Sequence, residues 1–157
     1  MKGEKVSEPT EPTAIGYTFG GWYKESGCTN AWNFTTDVVN EDITLYAKWT
    51  EKTYAVTISA GNGGTVSPSG SQTIGEVTQT TVTATANDNY EFVNWTATGG
   101  VVVANTSSAS TTITATATGT LTANFRSTAT YSLTVAEGAS IASVEGSTDP
   151  VTLGSTY

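Results

Sequence analysis

Acid–base or metal chemistry in this chain would have to begin from Glu41 and Asp42 side by side, Glu51, Asp88 and Glu91. Glycoside hydrolysis needs two carboxylates facing each other across a cleft. The neighbours Glu41 and Asp42 would point apart in a strand, and they read better as solvated loop residues. The chain carries 14 Asp plus Glu against 6 Lys plus Arg, a net charge of −8. That balance attracts calcium, yet no D-x-[DN]-x-[DN]-G loop occurs to hold it. His is absent, which removes the usual general base near neutral pH and the commonest metal ligand. The single Cys28 has no His to activate it and no partner for an internal disulfide, so it reads as a packing or loop residue. No catalytic, metal-binding or cofactor-binding set is expected, and the chain does not read as an enzyme.

Aromatic rings offer a different chemistry, stacking on a ligand. Tyr23, Trp32 and Tyr46 are the candidates, because they have no clear counterparts later in the chain. In an exposed row with polar partners they would make a carbohydrate-binding surface. Most of the remaining aromatic residues recur. "GYTFGGWY" at 16–23 and "NYEFVNW" at 89–95 share Y-x-F-x-x-W, which sets Tyr17, Phe19 and Trp22 against Tyr90, Phe92 and Trp95 at an offset of 73. "LYAKW" at 45–49 matches "LTANF" at 121–125 at an offset of 76, pairing Trp49 with Phe125. "YAVTISAG" at 54–61 matches "YSLTVAEG" at 131–138 at an offset of 77. Three landmarks in one order at nearly one period define an internal repeat.

The period exceeds that of ordinary solenoid repeats, so each unit is expected to be a small domain in a string. The units read as 1–50, beginning late; 51–127, complete; and 128–157, stopping early. "GEKV" at 3–6 resembles "GEVT" at 75–78, and "LGSTY" at 153–157 reaches the same place in its own unit. The chain therefore reads as a fragment of a longer array. The eight recurring rings, Tyr17, Phe19, Trp22, Trp49, Tyr90, Phe92, Trp95 and Phe125, are expected to be the core signature of each unit, because large rings supply buried area that a small core cannot find elsewhere.

The elements that position these rings read as strands. In "TVTATA" at 81–86 and "TITATA" at 112–117 apolar residues alternate with Thr, the period of a strand with one buried face. "LTANF" continues the alternation, and Thr118-Gly119 between the two runs predicts a tight hairpin turn. Strands are also expected at 54–60 and 131–136. Gly61, Gly63, Gly64 and Pro68 in "AGNGGTVSPSG" predict a connection rich in turns. A phosphate-binding loop would need a helix to follow, and no amphipathic helical run does. Within "GYTFGGWY" a bulge near Gly20-Gly21 would bring Trp22 into register with Phe19.

At 157 residues and 37% hydrophobic content the chain supports modest cores. Its charge leaves no footprint for nucleic acid or for an anionic membrane surface, and no apolar run reaches the roughly 18 residues that span a bilayer. Asn33, Asn94 and Asn105 begin formal glycosylation sequons that matter only in a glycosylating host.

Residues 1–50 closely resemble the Listeria/Bacteroides repeat, also called the internalin B-repeat. The landmarks are Pro9 and Pro12, Gly16 to Tyr23, Trp32 with Phe34, and Leu45 to Trp49. Residues 54–125, with "GGTVSPSG", "NYEFVNW" and "LTANF", resemble the divergent form of that repeat, and a truncated third repeat offers its first strand and turn. The resemblance implies a mainly β fold of tandem small β-grasp-like modules with little helix. It also implies a non-catalytic adhesive or spacer array on a bacterial cell-surface or secreted protein. Neighbouring repeats, and a host-surface protein or glycan, are the implied partners. Members of that family usually start with a strand and an Asn-Gly-Gly-type turn, which the first unit lacks. Its open edge is expected either to fray or to accept a strand from the third unit of another molecule.

Overall fold

The computed structural model describes residues 2–130. Every regular element among them is a strand: β1 (Tyr17–Tyr23), β2 (Tyr46–Glu51), β3 (Thr53–Ala60), β4 (Gly64–Ser67), β5 (Gly70–Gly75), β6 (Thr80–Ala86), β7 (Tyr90–Val103) and β8 (Ser110–Ser127). The fold is mainly β, and no helix crosses its sheets among the described residues. The strand expected at 131–136 and the third unit lie outside those residues, apart from Thr128 to Thr130.

β1 and β2 form an antiparallel pair, and the other six strands form a second sheet in the order β4-β6-β8-β3-β5, with β7 on β8. Alternation explains the larger sheet. Val82 and Ala84 on β6, Val56 and Ile58 on β3, and Ile113, Ala115, Leu121 and Ala123 on β8 are all buried, while their Thr and Ser neighbours face outward. Ile74 of β5 and Trp95 of β7 complete the core cluster.

β8 organises this sheet. β7 runs along one edge from Ser127 back to Ile113. The other edge is shared: β6 takes Ser110 to Ile113 antiparallel, and β3 takes Gly119 to Ala123 in parallel. Between these two stretches the register of β8 against β7 is irregular, and Ile113, Ala115, Leu121 and Ala123 of β8 all face the core.

Two expectations need correction. Thr118-Gly119 is not a hairpin turn, because β8 continues through it, with an irregular register against β7 between Ala115 and Gly119. Glycine is needed there for close approach: a Cβ on Gly119 would overlap the Thr98 carbonyl across the strand pair, a use of Gly that local sequence does not distinguish from a turn. The "AGNGGTVSPSG" connection also contains strand, with β4 inside it and β5 starting at its end.

Candidate functional site

The recurring rings sit in two copies of one strand pair. In β1 and β2, Phe19 faces Trp49 and Trp22 faces Ala47, with a bulge between Phe19 and Trp22. In β7 and β8, Phe92 faces Phe125 and Trp95 faces Ala123, again with one extra residue after Phe92. Ring centroids repeat with the backbone: 5.5 Å for Phe19–Trp22 and Phe19–Trp49, against 5.6 Å for Phe92–Trp95 and 5.9 Å for Phe92–Phe125. These tilted and edge-to-face contacts are the favoured aromatic geometry.

The approach to each pair repeats as well. Gly16 and Asn89, just before the tyrosines, both have left-handed backbones, φ 78° and 61°. Lys52 N–H donates to Gly16 O at 2.8 Å, as Thr128 N–H donates to Asn89 O at 2.7 Å.

Burial differs between the copies. Trp95 is 3% exposed and belongs to the core, with Phe92 and Phe125 packed against it. Tyr90 is 38% exposed, so the expectation of a core tyrosine does not hold there. Tyr17, Phe19, Trp22 and Trp49 are half-buried. The indoles differ in the same direction: Trp95 Nε1 donates to Ser108 O at 2.9 Å, whereas the buried Nε1 atoms of Trp22 and Trp32 have no partner among the described residues.

The rings are covered differently too. In the second repeat the turn from β3 to β4 lies flat on the aromatic pair, since a Cβ on Gly63 would overlap the Tyr90 ring and one on Gly64 the Phe125 ring. Asn87 N–H fixes that turn by donating to Gly63 O at 2.9 Å. In the first repeat Tyr17, Phe19 and Trp49, with Pro12, Ala14 and Lys52, line a cleft of about 380 Å³. The sequence signal for this cleft is the Asn-Gly-Gly-type turn that the second repeat has and the first lacks, from which an open edge on the first repeat is expected.

The stacking candidates do not form one exposed row. Tyr23 and Tyr46 face each other across β1 and β2. Tyr46 is 40% exposed, and the Lys48 ammonium lies 5.1 Å from the Tyr23 ring centre, a cation–π distance. Trp32, by contrast, is 8% exposed. Its N–H donates to Trp22 O at 2.8 Å, and its ring meets Phe34 edge-on at 6.3 Å. The loop that carries it folds inward after Glu25, whose carboxylate accepts from Thr29 N, Thr29 Oγ1 and Asn30 N at 2.8, 2.5 and 2.7 Å. The Thr29 hydroxyl and those backbone donors lower the Glu25 pKa to about 2. No His, Cys, Asp or Glu cluster of metal-binding size occurs among the described residues.

One residue, Lys52, separates β2 from β3, and it is held on both sides. Its N–H reaches Gly16 O, and its carbonyl accepts from Glu76 N at 2.9 Å. Glu51 accepts from Val77 N, Thr78 N and Thr78 Oγ1 at 2.7, 2.5 and 2.7 Å. The Thr78 hydroxyl, then the Thr78 and Val77 amides, hold its pKa below the ordinary carboxylate value. Tyr54 Oη donates to Glu76 Oε2 at 3.1 Å, which with partial desolvation raises the Tyr54 pKa.

Two copies of one aromatic strand pair, joined through a single fixed residue, define a tandem of small β-rich repeat modules. Residues 1–48 match the Listeria-Bacteroides repeat domain and residues 54–129 match the divergent InlB B-repeat domain, so the chain carries one repeat of each family. Among curated relatives, internalin H of Listeria monocytogenes is 38% identical over 100 residues, covering 62% of this chain and 18% of that protein. A protein of Evansella cellulosilytica described as a Gly-rich membrane protein is 43% identical over 65 residues, 41% of this chain and 8% of its own. A further membrane protein of that organism is 42% identical over 62 residues, 40% and 9% respectively. The chain thus spans less than a fifth of each of these relatives. No solved structure matches it.

Proposed function

We propose that this chain is a non-catalytic spacer segment of a bacterial cell-surface or membrane-associated protein, holding another part of its parent away from the cell. The observation that carries the reading is the path of the chain through the second repeat. β3 runs parallel to β8 from Val56, level with Gly119, to Ala60, level with Ala123. The chain leaves at Ser127, eight residues past Gly119 in the same direction, about 26 Å at strand rise. The chain comes in at one end and leaves at the other, the geometry of a module that adds length. The Glu51 and Lys52 contacts add stiffness, because a one-residue link fixed at both sides leaves little freedom between modules. The relatives described as membrane proteins, and internalin H, support the location.

Residual dipolar couplings test this reading. A single alignment tensor fitting residues 14–51 and 53–128 together is expected, and separate tensors of different magnitude would overturn it. An adhesive role by glycan stacking would have to rest on Tyr23 and Tyr46, since Trp32 is buried. Saccharide titration that shifts the Tyr23 and Tyr46 ring signals in the intact chain, and not in Tyr46→Ala, would favour that alternative.

A further inference from the structure

Tension along the chain reaches the two repeats through different kinds of strand pair. In the second repeat the pull enters at Thr53, the first residue of β3, and leaves at Ser127, the last of β8. These strands are neighbours and parallel, aligned from Val56 opposite Gly119 to Ala60 opposite Ala123. Drawing the start of one parallel strand against the end of its neighbour forces the two to slide past each other. The evenly spaced bonds of the ladder then take the strain together and resist as a unit. Gly61 N–H extends the ladder by donating to Ala123 O at 2.8 Å. Sliding also drags Val56 and Ile58 past Leu121 and Ala123, each at most 1% exposed, and separates the Ser59 and Thr122 hydroxyls, hydrogen-bonded at 3.2 Å.

The first repeat is strained in another direction. β1 and β2 are antiparallel, with Tyr17 opposite Glu51 at one end and Tyr23 opposite Tyr46 at the other. Tension arriving at Gly16 and leaving at Lys52 acts on two ends that lie side by side, joined by Lys52 N–H to Gly16 O at 2.8 Å. The pair opens as a zipper from that end, one bond after another. The bridge ahead of it is short: Gly3 N–H to Val39 O at 2.7 Å and Val39 N–H to Glu4 O at 2.8 Å. Among the described residues this repeat buries Trp32 and no aliphatic side chain, so little core has to be dragged apart.

We propose that the second repeat withstands tension as a clamp, and that the first repeat is a yielding element in series with it, lengthening before the clamp gives way. Forced unfolding is governed by the barrier to unfolding and not by equilibrium stability. The direction in which each strand pair is strained therefore sets the order in which the repeats open. A chain built this way extends under modest tension while its clamp stays folded. Use of that response at a cell surface rests on the spacer reading, but the response itself belongs to the two strand pairs.

Single-molecule pulling on the full chain tests it, with Cys28→Ser removing the native thiol and paired cysteines taking the handles. With Lys2→Cys and Thr130→Cys, two steps are expected. A short step at low force frees about 120–130 Å of chain from Gly16 to Lys52, and a long step at higher force frees about 240–270 Å from Thr53 to Ser127 before the folded length is subtracted. With Asn62→Cys and Thr130→Cys, the pull starts where Ala60 lies level with Ala123 and opens the same β3–β8 pair as a zipper. Asn62 is exposed, so the new handle changes the direction of pull and not the fold. The second repeat is expected to open there at no more than about half the force it withstands in the first geometry. Equal forces in the two geometries would overturn the proposal, as would a long step at or below the force of the short one. Separate alignment tensors for the two repeats would instead count against the spacer reading and leave these forces as they are.

Discussion

Phe19, Trp22 and Trp49 in the first repeat and Phe92, Trp95 and Phe125 in the second occupy the same pairings on the same bulged strands, but they rest on different supports. Behind Trp95 stand Val56, Ile58, Leu121 and Ala123, each at most 1% exposed, and Gly63-Gly64 closes over the neighbouring rings. Trp22 meets the Phe19 ring edge-on and its carbonyl accepts from Trp32 N–H, and among the described buried hydrophobic residues the first repeat contributes Trp32 alone. The aromatic cluster is therefore a local device that sets a strand pair and its bulge. An aliphatic layer beneath it, brought by β3, β5 and β6, turns that device into a closed core.

The largest break in this comparison should come from the aliphatic layer. Leu121 is 0% exposed, on the parallel β3–β8 pair opposite Ile58. Leu121→Ala is expected to cost about 2–5 kcal/mol, the range for a buried leucine whose site cannot collapse. Denaturant titration read at the indole N–H signals separates the repeats, since Trp95 reports the second and Trp22, Trp32 and Trp49 the first. The Trp95 midpoint should fall steeply. A midpoint that stays put would mean that the rings, and not the aliphatic residues, hold the second repeat together.

The paired tryptophans give a finer test. Trp95→Phe removes a donor from Ser108 O and leaves a cavity, for an expected loss of about 2–3 kcal/mol. Trp22→Phe removes a buried donor that already lacks a partner, so relief of that penalty offsets part of the lost ring, and a loss of about 1 kcal/mol or less is expected. Equal losses at the two positions would show that the repeats share energetics as well as geometry.

A smaller effect should separate the two left-handed positions. Asn89→Gly is expected to change stability by less than about 0.5 kcal/mol, because both residues tolerate that backbone. Gly16→Asn keeps the backbone but drives a Cβ into Val77 Cγ2 across the joint. It is expected to cost about 1 kcal/mol and to break the common alignment of the two repeats in dipolar-coupling measurements. If alignment survives, Gly16 serves its own turn and not the joint.

Much of the second repeat is legible as alternation, because a strand with one wet face writes its period directly into Thr and Val. The bulge after Phe19 is legible too, since Gly20-Gly21 leaves few other ways to put Trp22 beside Phe19. Gly119 and Trp32 are not. Gly119 reads as a turn residue until Gly99 and Thr98 are known to lie against it. Trp32 reads as a free aromatic until the Glu25 loop folds it inward. Both depend on partners distant in sequence or on a loop without periodicity, and a one-dimensional pattern carries neither. The family landmarks identify the repeats and an open edge on the first, while the residues that line its cleft emerge only when the two copies are compared ring by ring.

Acid should produce the smallest effect, and it bears on the joint. Glu51 is held below its ordinary pKa of 4.5 by the Thr78 hydroxyl and by the Thr78 and Val77 amides. A depressed folded pKa means that its contribution is fully present above 4.5 and is lost as pH falls through the lower folded value. Since the carboxylate is exposed, salt screens the effect and the repeats themselves should stay folded. The Val77 and Thr78 amide signals are expected to move upfield together, with a shared midpoint below 4.5, and the common alignment of the two repeats should weaken over the same interval. Glu51→Gln should abolish that transition while leaving the separate titration of Glu25, whose pKa is lowered to about 2 inside its own loop. Amides that titrate at 4.5 or above would mean that Glu51 stands free in solution and that Lys52 and Gly16 hold the repeats in line by backbone contacts alone.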